Sequence, residues 1–384
     1  MGQIAFNFRH LRAFVKTYEL GTLLAAARAV NITQPALTQG LTRLEDTLGS
    51  QLFDRQSSGM VPTEAADMFY RRATTVLERI RSHRVTYAQV KAFVALAKHG
   101  SYVEASEATG LAKASLHRAI SDLEQTLGQT LLGRRGRSIE LTPAGRATAR
   151  RYRLGLQELA AATDEITTMR GKSGGRVSIG AMPLCRARVL PESIVQFQEA
   201  HLKSEIFVAE GSHVELVEPL RDGELDFLIG ALRDPAPGPD LVQDPLFVDQ
   251  PVILARSGHP LPASVSARSL ADLADFDWCV PQAGVPLRDR WETMFKEAGL
   301  ALPRVRVECG SVIAIRQILM KTDCLTILSP DQVAVELEAG WLKRIGVAPT
   351  GMTRTIGLTY RRDWRATPTQ EAFLSTLKSV CGSA

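Results

Sequence analysis

The 384-residue sequence has no apolar run of about 18 residues, the length that a membrane-spanning helix needs. Its opening segment, MGQIAFNFRHLRAF, also lacks the long apolar stretch of a secretory signal peptide. We therefore expect a cytoplasmic protein that makes no contact with a membrane.

The sequence also has few of the motifs that carry catalysis or bind metal ions. Its seven histidines form no HExxH pattern, and it contains no GxSxG motif. The five cysteines include no CxxC pair, and their odd number favours free thiols, with a Cys279–Cys309 redox pair as the alternative. We predict no catalytic residue, no metal site and no cofactor, and we keep an enzyme as the weaker alternative function.

Positive charge, in contrast, is concentrated in one segment. Between Arg84 and Arg153 there are twelve lysines and arginines but only five acidic residues. Such a segment forms either a solvated face or a surface that docks on phosphates, because a basic face gains free energy by releasing the counterions of a polyanion.

The first 150 residues contain an internal repeat with an offset of about 79 residues. The segment that begins LRAFVKTYELGTLLAAARAV aligns without a gap on the segment that begins VKAFVALAKHGSYVEASEAT. Gly21 falls on Gly100, and Glu45 falls on Glu124. A tandem duplication explains this register most simply.

Each copy has the pattern of a small DNA-binding domain. Apolar residues at helical spacing predict a first helix that Gly21 ends, followed by a short Ala-rich helix. Thr33 lies where an N-cap belongs and Pro35 lies in the first turn of a third helix, which Gly49 ends. Two crossing helices followed by an extended hairpin, QLFDRQSSGMVPT or TLLGRRGRSIELT, form a winged helix-turn-helix.

The string AAARAVNITQPALTQGLTRLEDTLGSQLFDR resembles the winged helix-turn-helix of LysR-type transcriptional regulators, and the LTPAG that closes the second copy is similar to that family's usual ending. The resemblance covers about 55 residues twice. It implies that DNA is contacted by the start of each third helix and by the wing. The implied DNA-binding residues are Thr33, Gln34, Pro35, Ala36, Thr38, Gln39, Arg43 and Arg55 in the first copy, and Lys113, Ser115, His117, Arg118, Arg134, Arg135 and Arg137 in the second.

Each copy departs from the family pattern at a different place. The first has Gly40 inside its third helix, which costs about 1 kcal/mol relative to Ala, and its wing is weakly charged. The second lacks the Thr-Gln-Pro turn but has an arginine-rich wing. One copy retained only for packing or dimer contacts is therefore the alternative. We rank the second copy as the stronger phosphate binder and the first as closer to the family's base-contacting turn.

A long helix is predicted from Ala144 to Met169, basic at its start and apolar along one stripe afterwards. The resemblance implies a linker helix that pairs with its twin in a homodimer or homotetramer, and the alternative is a helix that lies on its own domain. A shorter version runs from Glu64 to Arg81 in the first copy. Gly171–Gly175 is interpreted as a hinge.

The C-terminal half alternates strand and helix patterns, such as RVSIGA, LVEPLR and LDFLIG, which predicts a parallel α/β sheet. LPESIVQFQEAH, LVEPLRDGELDFLIGA and ELEAGWLKRI resemble the effector domain of the same family, itself similar to periplasmic solute-binding proteins. The resemblance implies two lobes that close on a ligand, lobe I at 176–248 with 345–384 and lobe II at 249–344. The ending resembles the subgroup that senses sugars, sugar acids and aromatic acids.

Residues that follow the strands are predicted to line the cleft between the lobes. Helix N-termini at His213 and Ser311 suit an anionic effector, with ordinary helix capping as the alternative. Arg186 or Arg288 could add charge. The predicted effector-binding residues are Met182, Pro183, Leu184, Cys185, His213, Gly230, Ala231, Gln282, Ala283, Gly284, Val285, Gly310, Ser311 and Val312.

The sequence thus predicts a multidomain chain: two all-α winged helix-turn-helix domains at 6–82 and 83–142, a linker at 143–175, and a two-lobed α/β effector domain resembling periplasmic binding proteins at 176–384. Its expected partners are double-stranded operator DNA, a small-molecule effector, a second copy of the chain and RNA polymerase. The alternative from another class is a cytoplasmic solute sensor with degenerate DNA-binding domains.

Overall fold

The structure, a computed structural model, describes residues 5–57, 59–135, 138–171, 174–261, 270–347 and 350–382. The chain divides into two compact units. We call residues 1–175 with 221–223 the N-terminal unit, and residues 176–220 with 224–384 the C-terminal unit. None of the helices in the described ranges is long and apolar enough to cross a membrane.

The N-terminal unit contains one series of elements twice. The first series, which we call the first head, lies within residues 6–82, and the second head lies within residues 83–142, with a long helix after it. The elements are α1 Phe8–Leu20, α2 Leu23–Ala29, α3 Gln34–Leu48, β1 Phe53–Gln56, β2 Gly59–Pro62 and α4 Glu64–Ile80, then α5 Tyr87–His99, α6 Tyr102–Thr109, α7 Lys113–Leu127, β3 Leu132–Arg135, β4 Ser138–Leu141 and α8 Pro143–Met169.

Equivalent residues end the equivalent helices. Gly21 caps α1 and Gly100 caps α5, both with φ of 71°, a left-handed conformation that glycine adopts without steric cost. Two-stranded antiparallel hairpins then follow α3 and α7, as the extended segments predicted.

One continuous apolar core fills the N-terminal unit and includes buried residues of both heads and of α8. Phe14 packs against Phe53 and Phe69 in the first head, with ring centroids 5.6 and 5.1 Å apart. Phe93 packs edge-on against Tyr152 of α8 at 6.4 Å. Burial of each such ring contributes about 1.5–3 kcal/mol, so the two heads share the same source of stability.

The C-terminal unit is an α/β structure, and its described strands form a five-stranded sheet, a three-stranded sheet and a separate two-stranded pair. Its elements are β5 Arg176–Ala181, α9 Val189–Ala200, β6 Glu205–Glu210, α10 His213–Arg221, β7 Phe227–Ala231, β8 Leu241–Asp249, β9 Val252–Arg256, α11 Leu270–Ala274, β10 Trp278–Val280, α12 Pro286–Glu297, β11 Val305–Glu308, α13 Val312–Lys321, β12 Thr326–Leu328, α14 Ala334–Glu338, β13 Leu342–Val347, β14 Arg354–Arg361 and α15 Pro368–Gly382.

The larger sheet has the order β6-β5-β7-β14-β8, and only β5, β6 and β7 are parallel. β14 runs antiparallel to β7 and β8, so the predicted all-parallel sheet is a mixed sheet. β8 was not predicted as a strand because Pro245 and two aspartates interrupt its pattern. β8 lies at the edge of the sheet, where proline is tolerated because only one side of the strand has a hydrogen-bonding neighbour.

We call the part of the C-terminal unit built on the five-stranded sheet the larger lobe, and the part from β9 to β13 the smaller lobe. The smaller lobe contains the antiparallel sheet β12-β9-β13 and the parallel pair β10-β11. Trp278, Trp291 and Phe295 form its core, whereas Phe197, Phe227 and Phe373 form that of the larger lobe. The chain passes to the smaller lobe after β8, near the predicted residue 249. It returns after β13, later than the predicted residue 345, because β13 pairs with β9.

Candidate DNA-binding surface and effector cleft

Helix α3 buries one face and exposes the residues predicted to contact DNA. Leu37, Leu41 and Leu44 face the core. The Thr33 side chain accepts a hydrogen bond from the Ala36 backbone N–H at 3.4 Å and so caps the helix. The predicted residues that are exposed or half-buried are Thr33, Gln34, Pro35, Ala36, Thr38, Gln39 and Arg43, and five of them line a shallow concavity.

Helix α7 has the same orientation in the second head. Leu116, Ile120 and Leu123 are buried, and the predicted contact residues Lys113, Ser115, His117 and Arg118 are exposed. The His117 ring stacks on Tyr102 of α6, with centroids 3.6 Å apart and planes at 21°. This stacking fixes the position of His117 on an otherwise polar surface. No side chain caps α7, because its N-cap residue is Ala112.

The predicted wing arginines that the structure describes lie on the first strand of each hairpin. Arg55 is exposed on β1, where it pairs in register with Met60. Arg134 and Arg135 lie on β3, opposite Ile139 and Ser138. Arg137 lies outside the described residues.

Two glutamates that were not predicted as site residues fix each wing to its third helix. Glu45 accepts a hydrogen bond from the Leu52 backbone N–H at 2.8 Å. The equivalent Glu124 accepts hydrogen bonds from the N–H groups of Leu131 and Leu132 at 2.6 and 3.0 Å. The repeated Leu-Glu pair in the alignment was the signal that could have identified them. Their effect is to fix the angle between the wing and the exposed helix in both heads.

The long helix α8 packs along α4 of the same chain. The Arg72 guanidinium of α4, with 2% of its surface exposed, donates to Glu158 at 2.9 Å and to Glu165 at 2.6 Å. Burial alone would lower the pKa of Arg72, but the two carboxylates outweigh burial and raise it. A buried guanidinium of this kind is tolerated because both of its partners are charged and bonded to it.

In the larger lobe, most of the predicted cleft residues are buried. Met182 packs against Gly230, where an added Cβ would clash with the methionine side chain. The Cys185 thiol donates to the carbonyl oxygens of Met182 and Ile229 at 3.2 and 3.5 Å. Leu184 is also buried, so only Pro183 of this turn is exposed. Ala231 and His213 are half-buried.

In the smaller lobe, the predicted residues before α12 and α13 are exposed or half-buried: Gln282, Ala283, Gly284, Val285, Gly310, Ser311 and Val312. Ser311 caps α13 by accepting a hydrogen bond from the Ala314 N–H at 3.3 Å. No side chain caps α12, whose N-cap is Val285. Pro286 has no N–H, and the Arg288 N–H donates to Val285 O at 2.8 Å, so the uncapped start of α12 attracts an anion mainly through the positive end of its helix dipole.

The two candidate arginines of the cleft already have partners. Arg186 donates to the carbonyl oxygens of Ala181 and Gly211 at 3.0 and 3.3 Å. Arg288 donates to Pro281 O at 3.2 Å and to Glu308 at 2.9 Å. Both side chains hold loops in place in this conformation.

Polar contacts that were not predicted connect the two lobes. Asp249, at the end of β8, accepts a hydrogen bond from Ser329 of the smaller lobe at 2.6 Å and is held within the larger sheet by Arg354 of β14, which donates to it at 2.7 Å. Arg188 at the start of α9 forms an ion pair with Asp331 at 2.9 Å. Burial is the main cause that lowers the pKa of Arg354, although Asp249 opposes it. These contacts lie at or near the segments that join the two lobes, so a change in the angle between the lobes would alter them.

The five cysteines, all within the described ranges, carry free thiols, as their number and spacing predicted. Burial raises the pKa of Cys185 to about 12 and the pKa values of Cys279 and Cys381 to about 11. These thiols are therefore protonated at neutral pH and are weak nucleophiles. No three His, Cys, Asp or Glu side chains of the described residues are grouped so as to hold a metal ion.

Comparison with known proteins identifies the parts of the chain. Residues 8–67 and 87–146 each match the family "Bacterial regulatory helix-turn-helix protein, lysR family". Residues 170–382 match the family "LysR substrate binding domain". The repeat found in the sequence therefore corresponds to two copies of one family domain.

The HTH-type transcriptional regulator GalR of Pseudomonas putida is 30% identical over 97% of both chains. The SDS degradation transcriptional activation protein of a Pseudomonas species is 31% identical over 74% of this chain and 92% of its own. The solved structure of full-length CbnR in complex with its target DNA shares the fold, with 21% identity, a TM-score of 0.52, and coverage of 76% of this chain and 98% of CbnR. The chain belongs to the LysR family: it is a DNA-binding transcriptional regulator with a substrate-binding effector domain, and not an enzyme.

Proposed function

We propose that both heads are winged helix-turn-helix domains that bind one operator, and that a small anion, a sugar acid or an aromatic acid, binds between the two lobes and controls them. In this proposal, α3 and α7 enter the major groove and the wing arginines contact phosphates. The protein acts as a homodimer or homotetramer and regulates transcription by RNA polymerase.

The observation that carries the DNA-binding part is the equal construction of the two heads. In each head, the third helix exposes polar residues at its start and a glutamate holds the wing beside it. A head retained only for packing would not need to keep this angle. The exposed basic residues of the second head, Lys113 and Arg118, add attraction for phosphates.

The proposal of an anionic effector is supported by two helix N-termini of the smaller lobe. The start of α12 has no side-chain cap, and Gln282 and Gly284 are exposed directly before it. Exposed Gly310 precedes the start of α13. Since helix N-termini carry partial positive charge, an anion is stabilised there by about 0.3–1 kcal/mol or more.

A gel-shift assay with the DNA upstream of the protein's own gene tests the first part. We expect a specific complex that withstands competitor DNA and weakens steeply as salt is added. If the folded protein binds no duplex selectively at low ionic strength, the chain is instead a solute sensor with degenerate heads.

Thermal unfolding with candidate ligands tests the second part. We expect sugar acids or aromatic acids to raise the midpoint of unfolding, and the matched uncharged alcohols or amides to have a much smaller effect. An equal shift from the charged and the uncharged member of each pair would contradict an anion site.

A further inference from the structure

We propose that the two heads of one chain form a pseudo-two-fold pair, so that a single chain presents α3 and α7 to one duplex and recognises an asymmetric site with two unlike half-sites. The proposal rests on the proposed binding of DNA by both heads. The family resemblance implies that the linker helices of two chains pair with each other. Here we assign such a pairing to α4 and α8 of one chain.

The first observation is a contact between two equivalent residues. With the repeat offset of about 79 residues, Phe8 corresponds to Tyr87. Their rings lie edge to face, with centroids 5.9 Å apart. In a pair of bodies related by a two-fold axis, equivalent residues touch each other only beside the axis. The Phe8–Tyr87 contact thus places an axis between the two heads.

The second observation is the direction of α4 against α8. Arg79, near the end of α4, lies beside Gly155, whereas Arg72, earlier in α4, reaches Glu158 and Glu165, later in α8. The two helices therefore run antiparallel, as a two-fold axis perpendicular to them requires.

The faces that meet are also equivalent. Glu158 of α8 corresponds in the repeat to Arg79 of α4, and both lie in the interface. The repeat position that Arg79 and Glu158 share thus faces the interface from both helices, as an isologous contact requires. Two independent sets of contacts, in α1–α5 and in α4–α8, thus give the same symmetry.

The charges in this interface favour the pairing of α4 with α8 of the same chain over its pairing with the α4 of a second chain. Two α4 helices in the same register would place Arg72 against Arg79, and this like-charge pair would be buried. In the observed pair, Arg72 meets two carboxylates instead. The alternative of two α8 helices would leave the buried α4 residues Val76 and Ile80 without cover. Covalent linkage adds an effective concentration of millimolar order for the pair within one chain.

The consequence for DNA follows from the differences between the heads. A pair of identical heads requires a palindromic site, because operator symmetry mirrors protein symmetry. Gln34 and Gln39 of α3 correspond to Lys113 and Arg118 of α7, so the two exposed helix starts have different donors and acceptors. The site of one chain therefore consists of two half-sites of different sequence.

A designed disulfide tests whether the pair forms within one chain. A Cβ built on Gly155 lies 3.7 Å from the Cβ of Arg79, which is within the usual separation of about 3.5–4.5 Å for a disulfide. We expect oxidised Arg79→Cys/Gly155→Cys protein to run as a single cross-linked chain on a non-reducing denaturing gel at every protein concentration. The two single variants, which should stay uncross-linked, are the controls. Cross-linked dimers as the main product would overturn the proposal.

Selection of binding sites from a random duplex pool tests the half-sites and does not depend on the disulfide. We expect an asymmetric consensus for the full chain, in which Gln34→Ala changes base preference in one half and Arg118→Ala in the other. A palindromic consensus whose halves both change with Gln34→Ala would overturn the proposal, and so would a consensus that Arg118→Ala leaves unchanged. If no sequence is selected at all, the proposed function fails, while the cross-linking result still decides whether the heads pair.

Discussion

The two heads share their scaffold and differ on their exposed surfaces. The glycine caps at Gly21 and Gly100 and the wing glutamates at Glu45 and Glu124 have the same roles in both. The exposed starts of α3 and α7 and the tips of the wings have different residues. The duplication has therefore kept what holds each head together and changed what each head presents, which is the pattern expected of two domains that contact different DNA.

The interface between α4 and α8 shows the same divergence in a buried place. Arg72 and its equivalent Arg151 occupy the same repeat position, but only Arg72 has two carboxylate partners across the interface. Arg151 instead donates to Thr148 at 3.5 Å and lies over the Tyr152 ring at 5.3 Å. Equal positions have thus acquired unequal energetic roles.

The largest expected effect is on stability, and it follows from the difference between Arg72 and Arg151. We predict that Arg72→Ala lowers the free energy of unfolding by about 3–5 kcal/mol, because it leaves the buried Glu165 and the partly buried Glu158 without their cation. The matched control Arg151→Ala should cost less than about 1.5 kcal/mol, since it removes one weak hydrogen bond and one cation–π contact. Urea unfolding of both variants measures the difference. Equal losses would show that the ion pair does not distinguish the two positions.

The wings should differ in how strongly they bind phosphates. We predict that Arg134→Ala weakens binding to all duplexes alike and reduces the slope of log K against log salt by about 0.9, the value for one phosphate contact. Arg55→Ala, in the less charged first wing, is the matched comparison and should change the slope less. An unchanged slope in Arg134→Ala would remove the second wing from the DNA-binding surface.

The N-caps of α3 and α7 allow a reciprocal pair of substitutions. Thr33 caps α3, and its equivalent Ala112 leaves α7 uncapped. We expect Thr33→Ala to lower stability by about 1 kcal/mol and Ala112→Thr to raise it by a similar or smaller amount. Thermal unfolding of the two variants measures both changes. Stability that is insensitive to both would mean that α3 and α7 are held by packing alone.

The smallest effect is expected at Gly40, which corresponds to Ala119 in the second head. A Cβ at this position would lie 3.1 Å from Cδ2 of His10, whose ring is half-buried. Gly40→Ala should therefore gain less than the roughly 1 kcal/mol of helix propensity, because the His10 ring must move. A His10→Ala background separates the two contributions, since the full gain should return there. The same gain in both backgrounds would contradict the contact.

The heads could be predicted well from the sequence because their signals are local. The spacing of Leu37, Leu41 and Leu44, together with Thr33 and Gly49, predicted the position and the exposed face of α3. Short-range capping and periodicity decide such elements, and the repeat supplied each prediction twice. The family resemblance then supplied the chemistry of the exposed face.

Features that depend on distant pairing could not be predicted in the same way. The contact of Arg72 with Glu165 joins residues that are far apart in the sequence, and no local pattern encodes it. The strand β8 was missed because this edge strand contains Pro245 and carries no clear alternation. Met182 and Cys185 follow a strand as cleft residues would, but an apolar side chain there can face the core equally well, and both are buried.

The most direct measurement of the central claim is a footprint on a selected operator under low-salt conditions. We predict that the wild-type chain protects two adjacent half-sites, and that a variant with Arg118→Ala and Arg134→Ala loses protection over one half while it keeps the other. Protection of a single half-site by the wild-type chain, unaffected by the two substitutions in the second head, would contradict binding by both heads.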